Sequence, residues 1–339
     1  MTLACVLGCA ATTLSTEEAA FYRDVRPWGF ILFRRNVESP DQVRALTEAL
    51  RAAADRPDAP VMIDQEGGRV QRLGPPHWRR YPPARTYGAM AVDDHRRQDL
   101  VRLAGRLMAD DLIALGINVD CAPVVDVPVA GAHDVIGDRA FAETPAEVAL
   151  LARAMAEGLM AGGVLPVIKH IPGHGRARVD SHLHLPIVEA GRDDLEAWDF
   201  APFRALADMP IAMTAHVVYR ALDSDSPCTT SSRVIAEIIR GAIGFDGLLL
   251  SDDLSMKALD GTLTDRTRSA LTAGCDIVLH CNGDLAEMRA VAAGAAPLTP
   301  PAQARADAAL SRLAKPLETW DRIEVTATFD AMLADLSRV

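Results

Sequence analysis

The stretch VLPVIKHIPGHG, from Val164 to Gly175, decides the fold that this sequence predicts. It begins as a continuous apolar run and ends in polar residues and glycines. A run without alternation between apolar and polar residues is typical of a parallel strand that helices cover on its outer side. The pattern therefore predicts a parallel sheet flanked by helices, with a polar loop at the carboxyl end of this strand.

Seven more apolar runs of this kind occur along the chain, and helix-start signals lie between them. In chain order the eight runs are Leu3–Leu7, Gly29–Phe33, Pro60–Asp64, Ile117–Pro123, Val164–His170, Ile211–His216, Gly247–Asp253 and Asp276–Cys281. Capping-box patterns begin at Ser15, Ser39 and Thr144. Eight strands that alternate with helices predict an α/β fold, a single (β/α)8 TIM-type barrel. We expect the barrel at about residues 3–295, extra C-terminal helices at about residues 301–339, and one domain over residues 1–339.

Composition and charge exclude several classes of protein. The 339 residues include 35 Lys and Arg against 46 Asp and Glu, a formal net charge of −11. Such an acidic surface repels phosphate backbones, so we expect no nucleic acid partner. No apolar run reaches the roughly 20 residues of a membrane span, and the apolar start from Met1 to Ala11 lacks the basic region of a secretion signal. The six scattered cysteines suit buried thiols in a reducing cytosol, and we expect a cytoplasmic monomer.

Polar side chains collect at the carboxyl ends of the predicted strands. Asp64-Gln65-Glu66 follows the third run, Lys169-His170 the fifth, His216 the sixth and Asp252-Asp253 the seventh. The amino ends carry Gly, Pro and apolar residues. Catalysis in (β/α)8 barrels takes place at the carboxyl ends of the strands and in the loops after them. This polarity therefore predicts an active site at that end.

The loop after the fifth run is the densest in candidate catalytic groups. It holds five possible metal ligands: His170, His174, Asp180, His182 and His184. The cation of Lys169 and the glycines of the loop argue against a metal site. The His-x-His pair of metal-dependent amidohydrolase barrels is also absent from the first run. A metal site remains the sharpest competing hypothesis for this loop.

Within that loop, Asp180-Ser181-His182 predicts a proton shuttle. A carboxylate two residues from an imidazole can accept its ring N–H, which fixes the tautomer and raises the basicity of the other nitrogen. The alternative is an Asx turn, in which Asp180 binds nearby backbone and His182 is exposed.

Two adjacent carboxylates, Asp252 and Asp253, end the seventh run. Neighbouring side chains on a strand point to opposite faces, so we expect only one of them to enter the barrel mouth. A carboxylate at the end of a buried strand needs partners or a function. We expect Asp253 or Ser255 to cap a helix that begins near Ser255.

Two further loops combine charges of both signs. Asp64–Leu73 and Ile136–Phe141 place carboxylates and guanidinium groups after the third and fourth runs. Such groups suit bidentate hydrogen bonding to a polyhydroxylated ligand, and they suit equally a salt-bridge network that holds the loops. Trp78 and Phe141 are candidate stacking platforms for a sugar ring.

Taken in chain order, these segments resemble family-three glycoside hydrolases, and among them the short bacterial β-N-acetylhexosaminidases of peptidoglycan recycling. The matching segments, over roughly residues 3–290, are Gly29–Phe33, Asp64–Val70, Gly137–Phe141, Lys169–Gly175, Asp180–His182 and Ser251–Met256. The order of the whole set makes the likeness specific. The resemblance implies a barrel without a cofactor, and the residues of the loop after the fifth run argue against a metal.

The resemblance also implies roles for individual residues. Asp252 is similar to the family's nucleophile, His182 to its acid/base and Asp180 to the partner of that histidine. Sugar-binding positions are matched by Asp64, Arg72, Arg139, Lys169 and His170. Arg176-Ala177-Arg178 departs from the acidic or small residues usual at that place, which leaves the conformation of the loop open.

The reaction that the resemblance implies is retaining hydrolysis through a covalent intermediate on Asp252. Its substrate would be terminal β-linked N-acetylglucosamine on anhydro-muropeptides. Three alternatives stay open: a metal-dependent amidohydrolase, a phosphorolytic variant of the same glycosidase, and a sugar-binding barrel without catalysis.

Overall fold

Eight parallel strands close into a barrel in the computed structural model, which describes residues 1–314 and 320–336. In chain order the barrel strands are Leu3–Leu7, Pro27–Leu32, Val61–Ile63, Val119–Asp120, Leu165–Ile171, Ile211–Thr214, Leu248–Asp253 and Ile277–His280. Each strand overlaps its predicted run. The first strand closes the barrel by pairing with the eighth, with Val6 opposite Leu279. The predicted (β/α)8 barrel is confirmed.

Helices lie between the strands along the chain and after the last strand. They are α1 (Thr16–Val25), α2 (Pro40–Ala53), α3 (Ala84–Gly88), α4 (Asp94–Ile113), α5 (Pro145–Ala161), α6 (Arg192–Asp194), α7 (Phe200–Ala205), α8 (Leu263–Ala273), α9 (Leu285–Gly294), α10 (Pro300–Ser311) and α11 (Arg322–Leu336), with π-helical segments at Leu195–Asp199 and Val234–Ala242. The expected C-terminal helices are α10 and α11, and residues 315–319 and 337–339 of that region lie outside the described residues. Among the described helices, none combines enough length with enough apolar character to span a bilayer.

The three predicted helix starts are capped, but of the three only Ser15 forms the complete capping box. Oγ of Ser15 accepts the N–H of Glu18 at 3.1 Å, while the N–H of Ser15 donates to the Glu18 carboxylate at 2.9 Å. Ser39 and Thr144 likewise accept a backbone N–H three residues further on. Each cap satisfies a donor that the first helical turn leaves free. The chain thus leaves the strand ends at defined points, which fixes the loops between strand and helix.

Alternate residues of a strand face two different hydrophobic cores. Val167 of the fifth strand belongs to the core inside the barrel, and its neighbour Ile168 packs against the surrounding helices. Both side chains are completely buried. Burial on both faces explains why the strands appear in the sequence as continuous apolar runs. All six cysteines are buried and free of disulfides, as the sequence predicts.

Helix α10 covers the amino end of the barrel. Its Ala306 and Ala309 are buried against the interior core. Arg305 of the same helix donates to Asp246 and Asp276, which precede the seventh and eighth strands. Helix α10 thus packs across the amino end of the barrel, opposite the end at which the predicted site residues lie.

Candidate active site

A cavity of about 290 Å³ opens at the carboxyl ends of the strands. Seven of the eight residues predicted for the site line it: Asp64, Arg72, Arg139, Lys169, His170, His182 and Asp252. The eighth, Asp180, contacts the ring of His182. The barrel therefore gathers into one place side chains that come from the third, fourth, fifth and seventh strands or the loops after them.

Charged side chains of alternating sign form the floor of the cavity. Nζ of Lys169 lies 3.0 Å from Oδ1 of Asp64 and 2.6 Å from Oε1 of Glu66. Nη2 of Arg72 lies 2.9 Å from Oδ2 of Asp64, and Arg139 donates to both oxygens of Glu66 at 2.8 Å. We call these five residues the charged floor. The salt-bridge network that the two charged loops allow is present, and its residues line the cavity; hydrogen bonding to a polyhydroxylated ligand stays a prediction. Glu66 was not among the predicted site residues, although it stands two residues after Asp64.

The charged floor keeps its carboxylates ionised. Burial raises the pKa of Asp64, but Lys169 and Arg72 outweigh burial and hold that pKa well below its usual range. Burial likewise opposes the effect of Arg139 and Lys169 on Glu66, whose pKa is lowered to about 2. The floor therefore presents permanently charged acceptors and donors, which suit the hydroxyl groups of a sugar.

A buried carboxylate that was not among the predicted site residues, Asp126, holds the ring of His170. Nδ1 of His170 lies 2.7 Å from Oδ2 of Asp126, which is completely buried. Oδ1 of Asp126 also accepts the backbone N–H groups of His170 and His174, at 3.2 Å and 2.6 Å. This arrangement leaves Nε2 of His170 for a ligand. The sequence does contain a signal for Asp126, because this carboxylate directly follows the apolar segment from Ala122 to Val125, at the end of the fourth apolar run.

His174 supports the site from a buried position. Its Nε2 lies 3.0 Å from Oγ of Ser181, the residue between the two members of the predicted proton shuttle. Burial, together with the neighbouring His170, lowers the pKa of His174 to about 4. His174 is therefore neutral at neutral pH, in which state one of its ring nitrogens can accept a hydrogen bond.

We expect His174 to make the fold less stable at mildly acidic pH. Between its folded pKa of about 4 and its ordinary value of 6.5, the unfolded chain binds a proton that the folded chain does not, so this contribution to stability falls as the pH drops. From about pH 7.5 to about pH 5, the wild type should lose roughly 2 kcal/mol of unfolding free energy more than His174→Gln. Urea titrations of both proteins at the two pH values measure the difference. Equal pH dependence in the two proteins contradicts the prediction.

Asp180 and His182 form both of the arrangements that the sequence allows. Oδ1 of Asp180 lies 2.7 Å from Nδ1 of the His182 ring and accepts the backbone N–H of His182 at 2.9 Å. The residues are thus an Asx turn and a carboxylate–imidazole pair at once. Burial raises the pKa of Asp180, but the N–H groups and charge of His182 outweigh burial and lower it. The side chain of His182 is 63% exposed at the cavity wall, so Nε2 can exchange protons with a ligand or with water.

Asp252 presents an ionised carboxylate to the same cavity. Its Oδ1 accepts the N–H of Asp253 at 2.8 Å, and no side chain in the described part of the protein donates to its Oδ2. Burial raises the pKa of Asp252, but His170, His216 and the N–H of Asp253 together lower it below its usual value. An ionised, half-buried carboxylate with an oxygen to spare is what a nucleophile requires.

Two expectations about Asp253 are wrong. Both Asp252 and Asp253 line the cavity, because the register of the seventh strand against the eighth shifts between Leu250 and Asp253 and the strict alternation of faces fails there. No helix begins near Ser255 either, since turns follow the strand and α8 begins at Leu263. Instead, Asp253 accepts hydrogen bonds from the N–H and Oγ of Ser255 and from the N–H of Cys281. Hydrogen bonding, rather than direction, therefore distinguishes the two carboxylates.

The candidate stacking platforms Trp78 and Phe141 lie elsewhere. Both are buried in the outer core, where their apolar rings pack against other side chains. The aromatic ring at the cavity wall is Phe33, with the guanidinium groups of Arg35 and Arg72 each 5.1 Å from its centre. Phe33 stands at the carboxyl end of the second apolar run, and the expectation that the site lies at the carboxyl ends of the strands could have identified it.

Three histidine side chains, at the end of the fifth strand and in the loop after it, each have a different partner. His170 contacts Asp126, His174 contacts Ser181 and His182 contacts Asp180. Within residues 1–314 and 320–336, no three or more His, Cys, Asp or Glu side chains lie together as metal ligands would. His184 is exposed and does not line the cavity. This geometry favours acid/base chemistry over metal binding for the loop.

Comparison with known proteins agrees with this geometry. Residues 10–315 match the family model described as Glycosyl hydrolase family 3 N terminal domain. A beta-hexosaminidase of Alkalilimnicola ehrlichii is 43% identical over 281 residues, which cover 82% of this chain and 80% of the relative.

Solved structures show the same likeness. NagZ from Neisseria gonorrhoeae superposes with a TM-score of 0.83 at 34% identity, over 98% of this chain and 96% of that chain. A family 3 β-N-acetylglucosaminidase from a Paenibacillus species has a TM-score of 0.86 at 29% identity over 98% of this chain, which spans 66% of the length of that chain.

Proposed function

Because the chain belongs to glycosyl hydrolase family 3 and is a glycoside hydrolase, we propose that it is a retaining β-N-acetylglucosaminidase. One observation carries the proposal. The ionised carboxylate of Asp252 shares a cavity with the imidazole–carboxylate pair of His182 and Asp180, above a floor of fixed charges. A nucleophile and a separate proton carrier are the two groups that retaining hydrolysis needs.

The first step forms a covalent glycosyl–enzyme ester. An oxygen of Asp252 attacks the anomeric carbon, while Nε2 of protonated His182 donates its proton to the glycosidic oxygen and the bond to the aglycone breaks. In the second step, the now neutral His182 takes a proton from water, whose oxygen attacks the anomeric carbon and releases Asp252. Asp180 holds Nδ1 of His182 throughout, which leaves Nε2 for both transfers.

The charged floor would bind the non-reducing sugar. Asp64, Arg72, Arg139 and Lys169 line the cavity, and the salt bridges of the floor fix their orientation. His170, which Asp126 holds, lines the cavity beside them. Rigid charged groups form strong hydrogen bonds to hydroxyls without a further ordering cost. The floor would thus hold a terminal sugar with its anomeric carbon between Asp252 and His182.

We propose peptidoglycan fragments as natural substrates, with N-acetylglucosamine β-linked to an anhydro-muropeptide. The protein would cleave them in the cytoplasm as a monomer, with residues 1–339 as one domain. The ordered set of family segments supports peptidoglycan fragments, and the name of the Alkalilimnicola relative supports a hexosaminide more generally. The six buried thiols suit a reducing compartment.

Phosphorolysis is the second candidate function, and the chemistry of the acid/base favours it. A neutral imidazole at His182 adds no negative charge beside an incoming phosphate, whereas a carboxylate would repel it. Phosphate would then replace water in the second step. The metal-dependent amidohydrolase and the silent sugar-binding barrel have less support, because the imidazoles are held by separate partners and the nucleophile and shuttle lie together.

Purified protein incubated with aryl β-glycosides of N-acetylglucosamine, glucose and xylose tests the proposal. We expect cleavage of the N-acetylglucosaminide, with the β-anomer as first product by NMR, and unchanged rates after prolonged chelation. Each assay is run with and without phosphate. Formation of a sugar 1-phosphate would favour phosphorolysis, and a loss of activity that zinc restores would favour the metal hypothesis.

The imidazole–carboxylate pair makes a prediction about leaving groups. His182→Ala should lower kcat/KM by about 100-fold for phenyl β-N-acetylglucosaminide, since a poor leaving group depends on protonation. For a dinitrophenyl glycoside, which leaves without a proton, glycosylation should be almost unaffected. Steady-state kinetics with both substrates measure this contrast in kcat/KM. Asp180→Asn should show the same contrast with a smaller loss on the phenyl glycoside. Equal losses for both substrates would assign His182 a positioning role instead.

A further inference from the structure

The loop that carries His182 consists of a held base and an exposed tip. In the base, residues 171–177, the N–H of His174 donates to Asp126 at 2.6 Å and the carbonyl of Gly173 accepts the hydroxyl of Tyr219. The carbonyl of Ala177 accepts the N–H of His133 at 2.8 Å. We call residues 171–177 the loop base and residues 178–184 the loop tip.

One ion pair ties the loop base to the helical layer outside the barrel. Nε of Arg176 lies 2.6 Å from Oδ2 of Asp199, at the end of the π-helical segment Leu195–Asp199. The side chain of Asp199 is 1% exposed and that of Arg176 is 21% exposed. The backbone of Gly173 packs directly against Asp199. A Cβ added to Gly173 would lie 2.9 Å from the Cβ of Asp199. The pair is therefore packed as well as charged.

The loop tip depends on the base for its position. Among the described residues, two hydrogen bonds join the tip to other segments. Oγ of Ser181 lies 3.0 Å from Nε2 of His174 in the loop base, and the N–H of Lys257 donates to the carbonyl of His182 at 3.3 Å. The side chains of Leu183 and Arg178 are exposed. The Asp180–His182 bond lies within the tip and does not anchor it. A displacement of the base would therefore carry the proton shuttle with it.

We propose that the Arg176–Asp199 pair positions His182 over the glycosidic oxygen. This inference rests on the proposed function and adds to it two residues, neither of which touches the cavity. Removing the Arg176 guanidinium leaves the buried carboxyl of Asp199 without a hydrogen-bond partner, whether that carboxyl is charged or protonated, and an unpaired buried polar group makes the packed arrangement unfavourable. The loop base then moves to give Asp199 access to water. Arg176 and Asp199 act through His182 and are positioning residues.

Arg176→Gln and its matched control Arg178→Gln test the proposal. Both substitutions remove one positive charge from the same loop, but Arg178 is exposed. We expect Arg176→Gln to lower kcat/KM on phenyl β-N-acetylglucosaminide by up to about 100-fold, the cost of a misplacement near 1 Å. On the dinitrophenyl glycoside, which needs no proton, the loss should be less than about 3-fold. Arg178→Gln should match the wild type on both substrates.

Two further variants guard against loss of folding. Arg176→Lys keeps the charge but not the planar guanidinium group and should recover part of the phenyl glycoside activity. Asp199→Asn keeps the shape and one acceptor and should show the same selective loss at smaller size. Equal losses on both substrates, or an Arg176→Gln variant that behaves like Arg178→Gln, would overturn the positioning role. Failure of the wild type to cleave either glycoside would instead overturn the proposed function.

Discussion

Replacing Asp252 by alanine will lower kcat/KM for every aryl N-acetylglucosaminide by on the order of 10⁴-fold or more, the scale seen when a nucleophile is deleted. The loss should be the same for good and poor leaving groups, because no covalent ester forms in either case. The fold should change little in stability, since the carboxylate of Asp252 accepts one hydrogen bond from the adjacent backbone. Kinetics and urea denaturation of the same preparation measure both quantities.

Asp253→Ala is the matched control for that variant. Its carboxylate accepts three hydrogen bonds, from Ser255 and from Cys281, so its loss should cost about 2 kcal/mol of unfolding free energy. Activity should partly remain, because the Asp253 N–H that supports Asp252 is retained. A 5-fluoro N-acetylglucosaminyl fluoride, followed by peptide mass spectrometry, identifies the nucleophile directly. A label on Asp253 would reverse the assignment.

Replacing Lys169 by methionine will lower the unfolding free energy by about 3–5 kcal/mol, the range for breaking a buried ion pair from one side. Lys169 is 2% exposed and lies between two carboxylates, Asp64 and Glu66, which would then face each other without their shared cation. Sugar binding should fail as well, since the charged floor loses its central donor. Urea denaturation followed by circular dichroism measures the first effect, and kinetics measure the second.

Lys257→Met is the control for the lysine variant, because its side chain is exposed and its stability should stay within about 0.5 kcal/mol of the wild type. Adding Asp64→Asn to Lys169→Met removes one of the stranded carboxylates and should restore part of the stability. A Lys169→Met protein as stable as the wild type would show that Arg72, Arg139 and water stabilise the two carboxylates without the lysine.

The barrel and most of its site could be predicted because each rests on local sequence. A continuous apolar run predicts a strand buried on both faces, and the polar residues that end the runs at Asp64, Lys169 and Asp252 lie in the cavity. Capping residues such as Ser15 and Thr144 hold their helix starts through bonds within three residues. Such features need no knowledge of distant contacts.

The mistaken predictions depend on contacts between distant segments. Asp253 lines the cavity because the seventh strand shifts its register against the eighth. The sequence of the seventh strand alone does not encode this shift. The importance of Asp126 arises because its carboxylate meets His170 from another loop. Trp78 and Phe141 are apolar enough for the core, and packing rather than composition decides whether a ring lines a cavity or fills one.

The six buried cysteines allow unfolding of this protein to be followed by thiol labelling without an added probe site. Burial raises the pKa of all six thiols, so almost none is present as the thiolate that alkylating reagents attack. A maleimide dye should therefore label native molecules only when they open, and the labelling rate becomes a measure of opening events. Cys281 lines the cavity, so a bound sugar would cover this thiol directly, in addition to slowing the opening that exposes all six.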